Sequence, residues 1–162
     1  MKPLYERSST ITDTGHLDVP IRTAIATHAE NNQLGDVLAN ARAVCETRSV
    51  RLYRNGLLAR LTGSGDPDRE HRTIAILTPT YLVIVVAGDK RGIHVRSARL
   101  QAISFNPNRA AGIDSGISVV AHWSGEIASQ AVSAFYLGLG DDEAGQAFLI
   151  AFREAVVAAK TH

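Results

Sequence analysis

Thr73-Ile74-Ala75-Ile76-Leu77, then Thr78-Pro79-Thr80, then Tyr81-Leu82-Val83-Ile84-Val85-Val86-Ala87 is the run that decides how this chain is read. Two segments rich in β-branched residues flank a tight Pro-containing turn. Gly88-Asp89-Lys90-Arg91-Gly92 offers a second turn before Ile93-His94-Val95 and the segment 100–105. Short apolar runs bounded by turn formers read as antiparallel strands, so residues 72–105 are expected to form a meander. Residues 81–87 are almost continuously apolar, which suits a central strand covered on both faces; the run is far too short to cross a bilayer as a helix.

Downstream, the period stays at two. Ile117, Val119, Ala121 and Trp123 share one face, and Ser133, Phe135, Leu137 and Leu139 repeat the pattern. Ser124-Gly125-Glu126 lies in the connection between them. The period then changes. Asp141, Asp142 and Glu143 supply negative charge where a helix N-terminus exposes its amides. Ala144, Ala147, Phe148, Ala151, Phe152 and Ala155 follow as the stripe to be buried, with Lys160 near the C-terminal end.

Upstream, residues 1–17 are rich in Ser, Thr and Asp without an apolar period, and are expected to be a disordered tail. Residues 18–48 read as a helical extension. Asp18 and Pro20 mark a helix start, Ile21, Ala24, Ile25, His28 and Ala29 fall on one face, and Asn31-Asn32 interrupts it. Leu34, Val37, Leu38, Ala41, Val44 and Cys45 then repeat the helical spacing. Residues 48–62 are ambiguous. Asn55-Gly56 serves either as a helix C-cap or as a hairpin turn between 50–53 and 57–61, and the β-branched and aromatic content tips the reading toward the hairpin.

A chain of 162 residues suits one domain with room for a sizeable core. The net charge of +1 lacks the basic excess of an electrostatic nucleic-acid binder. Arg48, Arg51, Tyr53, Arg54 and Arg60 come closest to a basic, aromatic-interleaved stripe, but they fit an amphipathic strand edge better, and no nucleic-acid partner is expected. Cys45 is the only cysteine, which excludes an intramolecular disulfide and a Cys-based zinc cluster; a buried, inert thiol on a helix is expected. With no signal-peptide core, the expected location is cytoplasmic or membrane-peripheral.

The order of elements from about residue 57 to 160 resembles the pleckstrin-homology (PH) superfold, in particular its bacterial PH-like and GRAM-like members. The segments that carry the resemblance are 76–85, 95–105 and 135–156. The resemblance implies an α+β domain over residues 49–162: an antiparallel barrel or orthogonal sandwich of about seven strands, capped by the C-terminal helix and preceded by short N-terminal helices. The helix of eukaryotic PH domains carries a Trp; this one offers Phe148 and Phe152, and the lone Trp123 lies in a strand. That departure points away from the lipid-binding branch.

In lipid-binding relatives of that superfold, basic residues of the first strand and loop grip phosphates. The matching region here holds Arg60, Arg69 and Arg72, with Lys90 and Arg91 on a turn expected nearby, so these five form the candidate ligand-binding rim. Asp66, Asp68 and Glu70 nearly cancel its field. A three-histidine metal site from His71, His94 and His122 requires a shared face that the sequence does not provide. Ser115 or Ser118 with His122 and Asp114 can be assembled into a triad on paper, but no nucleophile elbow accompanies it. Gly63-Ser64-Gly65 lacks the Lys-Ser/Thr ending of a phosphate loop. No catalytic residue, cofactor or metal is assigned. The expectation is a non-enzymatic interaction module that engages a protein partner or its own protomers; the alternative is peripheral binding of anionic lipid headgroups, or another small anion, through the rim. A third reading, a pocket for a small ligand between the barrel and the N-terminal helices, has no chemistry in the sequence behind it.

Overall fold

β-branched residues between turn formers build the strands, and which of their faces are apolar decides how the layers stack. The computed structural model describes residues 3–62, 65–105, 115–125 and 131–161. Its strands are β1 (Tyr5–Thr12), β2 (Ala43–Arg51), β3 (Glu70–Leu77), β4 (Tyr81–Gly88), β5 (Gly92–Arg99), β6 (Ser104–Phe105), β7 (Gly116–Ala121), β8 (Ser124–Gly125) and β9 (Ser133–Gly138). Its α-helices are α1 (Val19–Asn31), α2 (Val37–Asn40), α3 (Leu57–Thr62) and α4 (Glu143–Lys160). The protein is α+β, with two antiparallel sheets and a C-terminal helix.

The expected meander is present as β3, β4 and β5, paired in the register Ile76↔Val83 and Val85↔Val95, but residues 100–105 do not extend it: Leu100–Ala102 forms a 3-10 turn and β6 joins the second sheet. The meander forms the middle of a six-stranded sheet of order β1-β2-β3-β4-β5-β8; the second sheet has the order β6-β7-β9. Leu82, Val83, Ile84 and Val85 are fully buried. Successive strand residues point to opposite faces, so both faces need cover. Ile74, Ile76, Val83 and Val85 pack under Ile21, Ile25 and Ala29 of α1 and Val37 of α2. Ala75, Leu77, Leu82, Ile84 and Ala98 meet Ile117, Val119, Ala121 and Leu137 of the second sheet and Phe148, Phe152 and Val156 of α4. Truncation of a buried Phe such as Phe152 would remove about 3–5 kcal/mol.

β1 is an edge strand, and its backbone groups need partners. The Ser9 N–H donates to Asp142 Oδ2 at 2.8 Å, while Asp142 Oδ1 accepts from the Gly145 N–H at 3.0 Å and caps α4. Ser9 Oγ accepts from the Gly140 N–H at 2.8 Å and lies 2.7 Å from Thr47 Oγ1. One carboxylate thus caps a helix and closes a sheet edge. Gly145 permits the contact, because a Cβ there would collide with the Gly140 carbonyl.

Several expectations are corrected. Residues 5–12 are a strand, so 1–17 is not a disordered tail. Residues 43–51 are β2, not the second half of a helix; α2 is one short turn, and a boundary at 48/49 falls inside a strand. The N-terminal helices share a core with the meander. Cys45 is buried as expected, but on a strand. The 50–61 hairpin does not form: β2 runs to Arg51 and residues 57–62 are helical. Among the described residues, β3 to β9 supply the seven strands expected after residue 49, β1 and β2 add two that were not expected, and no ladder joins the two sheets into a closed barrel. Also among these residues, no helix is long and apolar enough to cross a membrane.

Asp142→Ala removes both the helix cap and the partner of Ser9. It is expected to lower the unfolding free energy by about 2 kcal/mol, measured by urea denaturation. A midpoint unchanged from the native chain would show that the two bonds contribute nothing.

Candidate functional site

The charged and polar side chains concentrate where β2 ends, β3 begins and β4 turns into β5. Asp68 caps that turn: Oδ1 accepts from the Lys90 N–H at 2.8 Å, and Oδ2 from the Arg91 N–H at 3.3 Å and Nε–H at 2.8 Å. Gly88 makes room, because a Cβ there would strike this carboxylate. Asp66 Oδ1 accepts from the Arg91 guanidinium and from the Asp68 N–H, and Oδ2 accepts from the Tyr5 hydroxyl at 2.6 Å. The Arg91 side chain is 20 % exposed, against 8 % for Asp66 and 4 % for Asp68. This is a buried clasp with one cation between two anions.

The electrostatics follow from that packing. Burial pushes the Asp66 and Asp68 carboxyls up, but hydrogen bonds and the Arg91 charge outweigh it, and both lie below their ordinary value. Burial and the bond to Asp66 push the Tyr5 phenol up. Burial, then the Arg91 charge, pushes His71 down, so it is neutral at pH 7. His71 Nδ1 lies 3.8 Å from Asp66 Oδ2, beyond hydrogen-bond reach.

The five residues of the expected rim differ in their surroundings. Arg91 is consumed by the clasp. Arg72 points to the α1 side of the sheet, where it pairs with Asp18 at 2.8 Å and Glu46 at 3.1 Å. Arg60 on α3, Arg69 before β3 and Lys90 on the turn are exposed. Sequence reading had the acids as a cancelling field; Asp66 and Asp68 do this by direct contact. The three histidines are also apart in their roles: His94 Nε2 bonds the Arg91 carbonyl at 2.6 Å, His122 is exposed, and no group of three or more His, Cys, Asp or Glu among the described residues is arranged to hold a metal. Asp114 of the paper triad lies outside the described residues.

Sequence reading missed one Ser-His-Asn arrangement, because its members are 69 residues apart. His28 Nε2 on α1 lies 2.8 Å from Ser97 Oγ on β5, and His28 Nδ1 lies 3.3 Å from Asn32 Nδ2. The same Asn32 nitrogen donates to the His28 carbonyl at 2.9 Å. An amide flip would put two oxygens together, so the amide also donates to Nδ1. The proton therefore sits on Nε2 and is donated to Ser97. A serine that receives a hydrogen bond from the imidazole is not activated by it. The pair pins α1 to the sheet.

α3 was missed as well. Leu57, Leu58 and Leu61 are 75 %, 75 % and 76 % exposed, whereas Ala59 is half-buried. The available signal was Leu-Leu-x-x-Leu at helical spacing, which the preference for a hairpin concealed. Comparison with protein-family models, with curated proteins and with solved structures gives no match.

Two outcomes follow. Arg91→Ala leaves two buried carboxylates without their cation and is expected to destabilise the fold by about 3 kcal/mol; calorimetry showing a loss near zero would mean the clasp is solvated. Burial pushes His28 below its ordinary value of 6.5. The unfolded chain then binds the extra proton more readily, so stability is complete above that pH and is lost as pH falls below it. His28→Gln should flatten the fall in urea midpoint between pH 6.5 and about 5, and an unaltered slope would place its origin elsewhere.

Proposed function

We propose that this chain is a non-enzymatic interaction module of the PH-like kind, and that the leucine face of α3 is its working surface. Its likeness to that superfold is supported by the order of parts: an antiparallel meander, a second antiparallel sheet, and one closing helix packed over both. The six-stranded sheet and its edge strand β1 extend beyond the expected pattern.

One observation carries the functional reading. α3 is amphipathic in the inverted sense: its small residue faces the protein and its three leucines face water. Burying a leucine is worth about 1.5–3 kcal/mol, so a fold gains nothing by holding three outside. Exposed apolar patches of this kind mark contact surfaces. The inward-facing polar groups fit the same reading, because the clasp and the His28–Ser97 pair are closed structural contacts. Of the expected rim, Arg72 and Arg91 are already paired with carboxylates, while Arg60, Arg69 and Lys90 stay exposed.

The test compares a tagged native chain with the Leu57→Ser/Leu58→Ser/Leu61→Ser variant. Because the leucines are already exposed, the thermal midpoint should move by no more than about 2 °C. In fractionated cells the native chain should sediment with a larger body, and the variant should move to the free pool. Identical distributions for the two would defeat the reading.

A further inference from the structure

We infer that the body α3 contacts is an anionic lipid surface, into which Leu57, Leu58 and Leu61 insert while Arg54 and Arg60 meet the headgroups; this rests on α3 being the working surface. The charge pattern is the first support. From Thr47 to Gly65 the chain has four arginines and no acidic residue. Arg48 pairs with Glu70, and Arg51 donates to the Asp66 carbonyl. The side chains of Arg54 and Arg60 have no ion-pair or hydrogen-bond partner among the described residues, and both residues are exposed. Successive helix residues are about 100° apart, so the leucines span an arc of roughly 100° with Arg60 beside it and Ala59 on the far side.

The neighbourhood adds to this field. α3 connects the end of β2 to the start of β3, so it sits at the same end of the sheet as Arg69 and Lys90, both exposed. Asp66 and Asp68 at this end are buried against Arg91, and Glu70 is held by Arg48. Glu6 and Asp89 are the exposed acids left there. The outward balance is positive, and each arginine near an anionic surface strengthens binding roughly fivefold.

The size and chemistry of the patch favour lipid over protein. Three leucines offer on the order of 300 Å² of apolar surface, well under the roughly 800 Å² that one side of a standard protein interface buries. Protein hot spots are rich in Trp, Tyr and Arg, with Leu under-represented. A bilayer asks for no shape complementarity, and an apolar helix face seats about 5–10 Å into its boundary region. Nucleic acid would need stacking aromatics where these leucines stand.

The experiment is vesicle sedimentation with phosphatidylcholine alone and with about one-third phosphatidylglycerol. The native chain should bind the anionic vesicles, release at high salt, and ignore the neutral ones. The triple leucine variant and Arg54→Glu/Arg60→Glu should each bind at least about tenfold more weakly. Position is read separately. Cys45 is buried, so Leu58→Cys can be labelled selectively with an environment-sensitive dye, whose emission should shift to the blue on anionic vesicles. The same dye on Val157→Cys, exposed on α4, should not respond. No native binding to anionic vesicles, equal binding to neutral ones, native-like binding by both variants, or a silent Leu58 label would each overturn the assignment. If the vesicles fail while the leucine variant still redistributes in cells, α3 docks on protein; the lipid assignment falls and the contact surface stands. If neither assay responds to the variant, both fall.

Discussion

Two adjacent strands whose both faces are apolar govern this molecule. Ile74 to Leu77 and Leu82 to Val85 are excluded from water on either side, and a sheet in that condition is stable only as the middle layer of three. One face recruits α1 and α2. The other recruits the second sheet and α4. The remaining elements are held in place by these two covers. β1 pairs with β2 along its length, and its outer edge meets the start of α4 through the Ser9 N–H and Asp142. α1 is fixed in place by apolar contacts, by the His28–Ser97 pair and, at its start, by Asp18 and Arg72.

The polar chemistry follows from the same constraint. A loop and a turn that meet at the end of a doubly buried sheet bring charges into a poorly hydrated corner. Those charges persist because they compensate one another: Arg91 lies between Asp66 and Asp68, and Tyr5 completes Asp66. Such a corner looks like a site by composition, yet Asp66, Asp68 and Arg91 are paired with one another. The unmet demand is outside, on α3, where three leucines face solvent beside arginines that lack counter-charges among the described residues. An interaction surface is recognised by what it leaves unsatisfied.

The legible parts of the fold were those with one dominant period. β3, β4 and α4 bury what their own alternation or helical stripe announces, with Phe148 and Phe152 in the core and Asp142 at the cap. β1 and β2 were illegible for a physical reason. The inner face of β2 is Cys45, Thr47 and Ser49, fully buried but small and mostly polar, because it meets Ser9 and Arg7 of the edge strand. Hydrogen bonds across the ladder replace the apolar alternation that marks a strand in sequence. Val37, Leu38, Ala41, Val44 and Cys45 fall at helical spacing, but they divide between a single turn and a strand. For the candidate site, residue types were visible and partners were not. Nothing local tells Arg72, tied to Asp18, from Arg60, which is free to face solvent.

By itself, the sequence determined the meander, the alternation of the second sheet, the closing helix and the presence of one apolar core, because each is set by contacts among near neighbours or by a repeat along the chain. Tertiary structure decided the rest: that a polar N-terminus completes a sheet, that Arg91 is spent within the fold, that a serine and a histidine meet without activating one another, and that a leucine-rich turn faces outward. These outcomes depend on which distant groups share a corner and on how much water is left there, and no local pattern encodes either.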